Sequence, residues 1–392
     1  MSLSILFVSP GYHPLTGGAE THVRLLAEGL RQSGHKVAVL TDNRDFLEHE
    51  VVNGVELLRT NSAVIRPSGA DGVPWESGLF GLLQEASRLV GGRRFDIVHG
   101  QCQAGALLGA MFYREAGAAL VISAHETEPE SDSFGAARSR LVFGHLPYSA
   151  AVVGSEYFRA QALRHGAPPD KVHLVYSGVD TKAFSPAVDG SCIRAEIGVG
   201  PDTCLVLLVG RFKKRKGIVE LIQALRSVRD ANADVHGLIV GSCNSASIDY
   251  RDRMHHTVAA CGLQDNVTIA EERWDFDRMP NVFAAADIVV QPSHREGLGI
   301  AVLEAMAAGK PVIGAAVEGI REIIVDGGTG VLVPPEDPNA LAAAILDLIG
   351  DPARGRSLSD RALRDVRARM SQSRLVAGTE AVYARVLGTA SR

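Results

Sequence analysis

Short apolar runs, each closed by turn residues and separated by stretches of helical period, recur along the whole chain and constrain its fold more than any other feature. In the first half they are Leu3–Ser9, Lys36–Thr41, Glu56–Arg59, Ile97–His99, Leu120–Ala124 and Ala151–Gly154. A second series follows: Cys204–Val209, Gly237–Val240, Val267–Ala270, Ile288–Gln291, Pro311–Gly314 and Gly330–Val333. Runs of this kind without alternation belong to strands buried on both faces, which means parallel strands joined by crossover helices. With 392 residues the chain is also longer than one hydrophobic core normally serves. The expectation is an α/β chain of two Rossmann-like, doubly wound domains.

The stretch FSPAVDGSCIRAEIGVGPDT between the two series is rich in Pro, Gly and small polar residues, and reads as a linker over residues 184–202. That places an N-terminal domain at 1–183 and a C-terminal one at 203–371, with a final helix at about 372–392 packing back on the first domain.

Composition excludes several function classes. A formal net charge of −5 gives no basic surplus for nucleic acid or an anionic membrane. The five cysteines are an odd number, scattered, with no Cys-x-x-Cys pair, so neither a disulfide framework nor a zinc site is expected. No apolar stretch approaches the roughly 20 residues of a membrane span. The opening MSLSILFVSPG reads as a first buried strand rather than a leader. A cytoplasmic location is the expectation that fits a reducing environment.

Three segments carry chemistry. After the first strand, Gly17 and Gly18 precede a helix starting near Ala19; glycines there let backbone N–H groups approach an anion, although a Gly-Gly pair also serves as a plain tight turn. In LVLLVGRFKKRKGIVELIQAL, Arg211 and Lys216 bracket a basic loop at the carboxyl end of a strand, where such sheets bind ligands. Two cations there suit a diphosphate leaving group, with Lys213, Lys214 and Arg215 read as solvated. In PSHREGLGIAVLEAMAAGKPV, Glu296 lies in a turn and Glu304 on the following helix, with seven residues between them; Gly297, Leu298 and Gly299 allow the helix-start amides to face a phosphate.

With PGYHPLTGGAETHVRLLAEGLRQSGHKV, SGVDTKAFSP, VGRFKKRKG and the stretch Glu296–Pro335 in order, the sequence resembles, over nearly its whole length, family 4 of the retaining glycosyltransferases, which have the GT-B fold of two Rossmann-like domains facing a cleft. The resemblance implies that Gly17 and Gly18 lie under the diphosphate of a nucleotide sugar and that Arg211 and Lys216 bind its oxygens. Glu296 would contact the donor sugar and Glu304 the ribose, with backbone amides around Gly299, Ile300 and Ala301 completing the phosphate cradle. His125, in LVISAHETEPESD, matches the family's strand-end histidine near the anomeric carbon; by itself a histidine on an apolar strand is more often structural.

The resemblance further implies a UDP-linked sugar as co-substrate, no bound cofactor or metal, and front-face transfer in which Arg211, Lys216 and helix N-termini stabilise the departing diphosphate. Three departures stand out: Glu318 in VEGIRE where the family has a glycine pair, GSCNS at Gly241–Ser245, and AEERWD at Ala270–Asp275. Competing readings are weaker. A nucleotide-sugar epimerase fits the Glu296–Glu304 segment less well, an oxidoreductase needs a G-x-G-x-x-G turn that is absent, and a noncatalytic sugar-binding module would be expected to have lost some of Arg211, Lys216 and Glu296.

For the acceptor, the loop after His125 places Glu126, Glu128, Glu130 and Asp132 within seven residues. Such a run is commonly a solvated face. Next to a reaction centre it would repel phosphate and attract an amine, so the expectation is a small polar acceptor, aminocyclitols or amino sugars of antibiotic biosynthesis included. The alternative is transfer in glycolipid, polysaccharide or thiol-cofactor biosynthesis.

Overall fold

The computed structural model describes the chain except residues 1, 15–16, 44–46, 62–74, 124–134, 244–246, 272–273 and 391–392. It divides into two compact units: Met1–Tyr176 with Gln372–Arg392, and Ser177–Ser371.

The first unit is built on eight strands: β1 (Ser4–Val8), β2 (Lys36–Asn43), β3 (His49–Val52), β4 (Val55–Asn61), β5 (Ile97–Gln101), β6 (Ala119–Ser123), β7 (Ala150–Val153) and β8 (Val172–Leu174). Their order is β3-β4-β2-β1-β5-β6-β7-β8, parallel throughout except for the β3-β4 hairpin. The connecting helices are α1 (Gly18–Gln32), α2 (Trp75–Val90), α3 (Cys102–Phe112), α4 (Gly135–Arg140), which runs into a π-helical turn at Leu141–His145, and α5 (Glu156–Arg164). Period two divides β1 between two cores: Ile5 and Phe7 join Val23, Leu26 and Leu30 of α1, while Leu6 and Val8 face Ala106 and Phe112 of α3. Each such fully buried side chain contributes about 1.5–3 kcal/mol by leaving water.

The second unit has six strands, β9 (Cys204–Val209), β10 (Val235–Gly241), β11 (Val267–Glu271), β12 (Ile288–Gln291), β13 (Val312–Ala315) and β14 (Val331–Val333), in the parallel order β11-β10-β9-β12-β13-β14. Its helices are α6 (Ser191–Ile197), α7 (Ile218–Asp230), α8 (Ile248–Ala260), α9 (Met279–Ala285), α10 (Ile300–Ala307), α11 (Glu318–Arg321), α12 (Pro338–Gly350) and α13 (Pro352–Arg369). The last helix, α14 (Gln372–Ala390), belongs to the first unit. There Gln372 Nε2 donates to the Leu25 carbonyl at 2.8 Å, Glu380 lies 3.0 Å from His35 Nε2, and the Tyr383 hydroxyl bonds His99 Nδ1 at 2.6 Å. Val376 packs so closely on α1 that a Cβ at Gly29 would lie 2.5 Å from its Cγ2.

Two expectations need correction. Residues 184–202 are not a linker: they fall inside the second unit, whose boundary is at Ser177, and contain α6. Ile193 is fully buried, Arg194 Nε donates to the Ala285 carbonyl at 2.9 Å, and a Cβ at Gly190 would meet Ala285 N at 2.1 Å. Gly190, one of the small residues that resembled a flexible spacer, is there to allow close packing on α9. The sheet of the first unit also has two more strands than its apolar runs suggested, β3 and β8. β3 is an exposed edge strand with side chains alternating between exposed and half-buried, and β8 has three residues, so neither produces a buried run.

Candidate functional site

In the second unit β9 and β12 are neighbours, so the loops leaving their carboxyl ends lie side by side. The loop after β9 passes Arg211, turns through a 3-10 segment at Lys214–Lys216 and enters α7 at Gly217. Gly217 has φ 68, in the left-handed region, and a Cβ there would lie 2.0 Å from the carbonyl oxygen of Pro292 in the loop after β12. The two backbones therefore touch, which fixes the side chains beside them.

Lys216 Nζ lies 2.5 Å from Glu296 Oε2, with only 13% and 11% of the two side chains exposed. Arg215 Nη1 is 3.7 Å from Glu296 Oε1 and also donates to the Arg295 carbonyl at 3.2 Å. Ser293 Oγ donates to Glu296 Oε2 at 3.2 Å and itself accepts from Gln291 Nε2 at 2.8 Å. Burial pushes the Glu296 carboxyl pKa up, but the charges of Lys216 and Arg215 and hydrogen bonds from Lys216 and Ser293 outweigh it and hold the group below its ordinary value. Lys216 is drawn below the usual lysine value by burial first, with Arg215 and Arg211 adding and Glu296 opposing. Desolvation cancels much of what such a pair gains, so its presence points to chemistry more than to stability.

Eight residues on, Glu304 has a different environment. Gly299, φ 97, is the N-cap of α10 and provides no side-chain cap, so the first amides, at Ile300 and Ala301, are left for an outside acceptor. α10 is otherwise apolar and packed; helical side chains lean toward the N-terminus, which directs Glu304 back toward that start. Burial alone pushes its carboxyl up to about 8, making it neutral at pH 7.

One unit thus holds Arg211, Lys216, Glu296, Gly299, Ile300, Ala301 and Glu304 on two adjacent strand-to-helix connections. Arg211 is exposed. Gly17 and Gly18 lie in the other unit, at the start of α1. The Gly17 backbone is extended, and a Cβ there would meet only the movable carboxylate end of Glu20, at 2.2 Å from Oε2. His125 and the carboxylates Glu126, Glu128, Glu130 and Asp132 lie outside the described residues. Glu318 is exposed at the start of α11, whose Gly319 N–H donates to the Glu296 carbonyl at 3.2 Å.

Arg215, expected to be solvated, is instead part of the Glu296 environment, because the 3-10 turn aims it at the neighbouring loop. Gln291 and Ser293 were not picked out in the sequence either. Ser293 stands three residues before Glu296, a spacing that suits a hydroxyl bonding forward to a carboxylate. Among the described residues no group of three or more His, Cys, Asp or Glu side chains is placed to hold a metal ion, and no helix is long and apolar enough to cross a membrane.

The profile of the family described as "Glycosyl transferases group 1" matches residues 192–365, and that of "Glycosyltransferase Family 4" matches residues 16–183. The chain is 30% identical over 376 residues to a D-inositol 3-phosphate glycosyltransferase of Segniliparus rotundus, covering 90% of this chain and 82% of that protein. Among solved structures it resembles sucrose-phosphate synthase from Thermosynechococcus elongatus, with TM-score 0.83 and 24% identity over 98% of this chain and 99% of that one. It also resembles HepE of Anabaena in complex with UDP and glucose, with TM-score 0.80 and 23% identity over 97% and 99%. The fold is the expected GT-B type, α/β with two Rossmann-like domains.

Proposed function

The chain belongs to the glycosyl transferases group 1, and on that premise we propose that it moves a hexose from a UDP-linked donor to a hydroxyl of a small polyol, with retention of anomeric configuration and without a metal. The observation that carries this reading is the buried Lys216–Glu296 pair at 2.5 Å, reinforced by Arg215 and set beside the uncapped start of α10. In this reading the Lys216 ammonium and the Arg211 guanidinium meet diphosphate oxygens, and the α10 amides at Ile300 and Ala301 complete their cradle. Glu296 is held anionic and accepts hydrogen bonds from sugar hydroxyls. Glu304 accepts from the ribose through a carboxyl oxygen, which it can do while still protonated. Cleavage of the sugar–phosphate bond leaves negative charge on the diphosphate, where these fixed cations act; the incoming hydroxyl loses its proton to that departing group.

For the acceptor, the name of the Segniliparus relative favours a phosphorylated cyclitol, in line with glycolipid or thiol-cofactor synthesis, over the aminocyclitol suggested by the acidic stretch. That stretch lies outside the described residues. The test incubates the protein with UDP-glucose or UDP-N-acetylglucosamine and, in parallel, inositol phosphate, free inositol and 2-deoxystreptamine, with and without EDTA. An α-linked product on the cyclitol, formed equally in EDTA, is expected. A β-linked product would remove retention, loss of activity in EDTA would remove metal independence, and transfer to 2-deoxystreptamine alone would restore the amine acceptor.

A further inference from the structure

The loop that carries Glu296 is attached to the basic turn at a second place, through His294. His294, two residues before Glu296, donates its backbone N–H to the Arg215 carbonyl at 2.8 Å. Its imidazole points the other way, into carboxylates of two further elements. Nε2 lies 3.1 Å from Glu220 Oε1 in the first turn of α7, and Nδ1 lies 3.9 Å from Glu336 Oε1 just after β14. The imidazole is 11% exposed and Glu220 19%. Arg215, on the same basic turn, returns a hydrogen bond to the Arg295 carbonyl at 3.2 Å. His294 is thus fastened by its backbone to the turn that bears Lys216, while its ring lies against Glu220 of the helix that this turn opens, its Nε2 making no aligned hydrogen bond there. The intervening Gly217 lies against Pro292. The His294 ring and Glu220 make no contact with Glu296 themselves; they fix where the loop carrying its carboxylate can stand.

We propose that His294, anchored by Glu220, is a positioning residue for Glu296: it sets the height of the sugar-recognising loop over the Lys216 turn, and so governs affinity for the sugar half of the donor rather than the nucleotide half. This rests on the reading in which Glu296 meets the donor sugar. Residues in contact within one network couple, and the polar contacts of His294 run to the basic turn, to α7 and to Glu336 rather than to the start of α10, which would receive the nucleotide.

The experiment uses the full chain and the variants His294→Ala, His294→Gln and Glu220→Gln, with UDP and UDP-glucose as calorimetric probes and hydrogen exchange on the free protein. His294→Ala is expected to raise the Kd for UDP-glucose by about tenfold while that for UDP stays within about twofold, as for one broken contact in a local network. His294→Gln, which keeps a polar side chain of similar reach beside Glu220, recovers most of the loss, and Glu220→Gln reproduces part of it. Amides of residues 293–297 exchange faster in His294→Ala, while those of α10 do not change. Equal weakening of UDP and UDP-glucose would overturn the assignment by making His294 a general support of the fold, and unchanged affinity for both would overturn it outright. If the wild type binds neither probe, the donor reading has failed. The exchange comparison then decides alone, and unaltered exchange at 293–297 sinks the positioning role.

Discussion

The loop carrying Glu296 and the helix carrying Glu304 are adjacent in sequence, and each removes a carboxyl group from water, yet they leave it in opposite states. In the loop two cations and a hydroxyl converge on the group and keep it ionised against the effect of burial. On the helix burial acts alone, and the group rises to about 8. A buried carboxyl is therefore defined by what neighbouring strands bring to it, not by its depth. The consequence for binding is direct: Glu296 offers two ionised acceptor oxygens before any ligand arrives, whereas Glu304, while protonated, offers one donor O–H and its remaining acceptor oxygen.

The strongest way to break this contrast is to remove the cation. Lys216→Ala leaves Glu296 buried without its main partner, and is expected to lower stability by about 3–5 kcal/mol in urea unfolding and turnover by about 10²–10³ through lost charge stabilisation. Adding Glu296→Gln to Lys216→Ala should restore much of the stability and none of the turnover. Undiminished turnover in the single variant would rule out the assigned role of Lys216.

Comparable in stability, but without the loss of turnover, is the pH dependence contributed by Glu304. Its native pKa of about 8 lies above the 4.5 of the exposed group, so between these values the folded chain holds a proton that the unfolded chain has lost. The contribution is fully present below pH 4.5 and is lost as pH rises through 8, on the order of 5 kcal/mol at about 1.4 kcal/mol per unit. Glu304→Gln should remove that slope, matching wild type near pH 5 and exceeding it at pH 9 in denaturation measured across pH. The Glu296 contribution has the opposite sign: its pKa is lowered, so its stabilisation is present above 4.5 and disappears as pH falls through the native value. A wild type whose stability between pH 5 and 8 does not differ in slope from Glu304→Gln would remove the contrast.

Smaller effects sharpen the comparison. Ser293→Ala deletes one hydrogen bond to an ionised group and should cost about 1–2 kcal/mol, while moving the acid unfolding transition to higher pH. No change in that transition would mean that the hydroxyl does not hold the carboxylate. Arg211→Ala should shift stability by less than about 0.5 kcal/mol, as an exposed side chain, while still lowering turnover with a UDP-linked donor. A large fall in melting temperature would place Arg211 in the packing instead.

Much of this was legible in the sequence. Runs such as Cys204–Val209 and Ile288–Gln291 are buried on both sides and have no polar alternation, so local pattern was enough to specify parallel strands and, from their two series, two doubly wound units. The glycines at 217 and 299 mark the starts of α7 and α10, because left-handed backbone is cheap only for that residue. The charged residues Arg211, Lys216 and Glu296 in the strand-to-helix loops and Glu304 on α10 were visible as residue types in the sequence. Tertiary structure alone decided the rest. Residues 184–202 have the composition of a spacer, and contacts with α9, Trp274, Asp287 and Gly309 make them part of a domain. Arg215 and Arg211 are indistinguishable in a basic run; one joins Glu296 because β9 and β12 happen to be neighbours. His294 gains its two carboxylates from segments about 70 residues earlier and 40 later in the chain. The protonation states of Glu296 and Glu304 likewise depend on burial and on charges brought from other strands. These are non-local quantities that arise only when the sheet order is set.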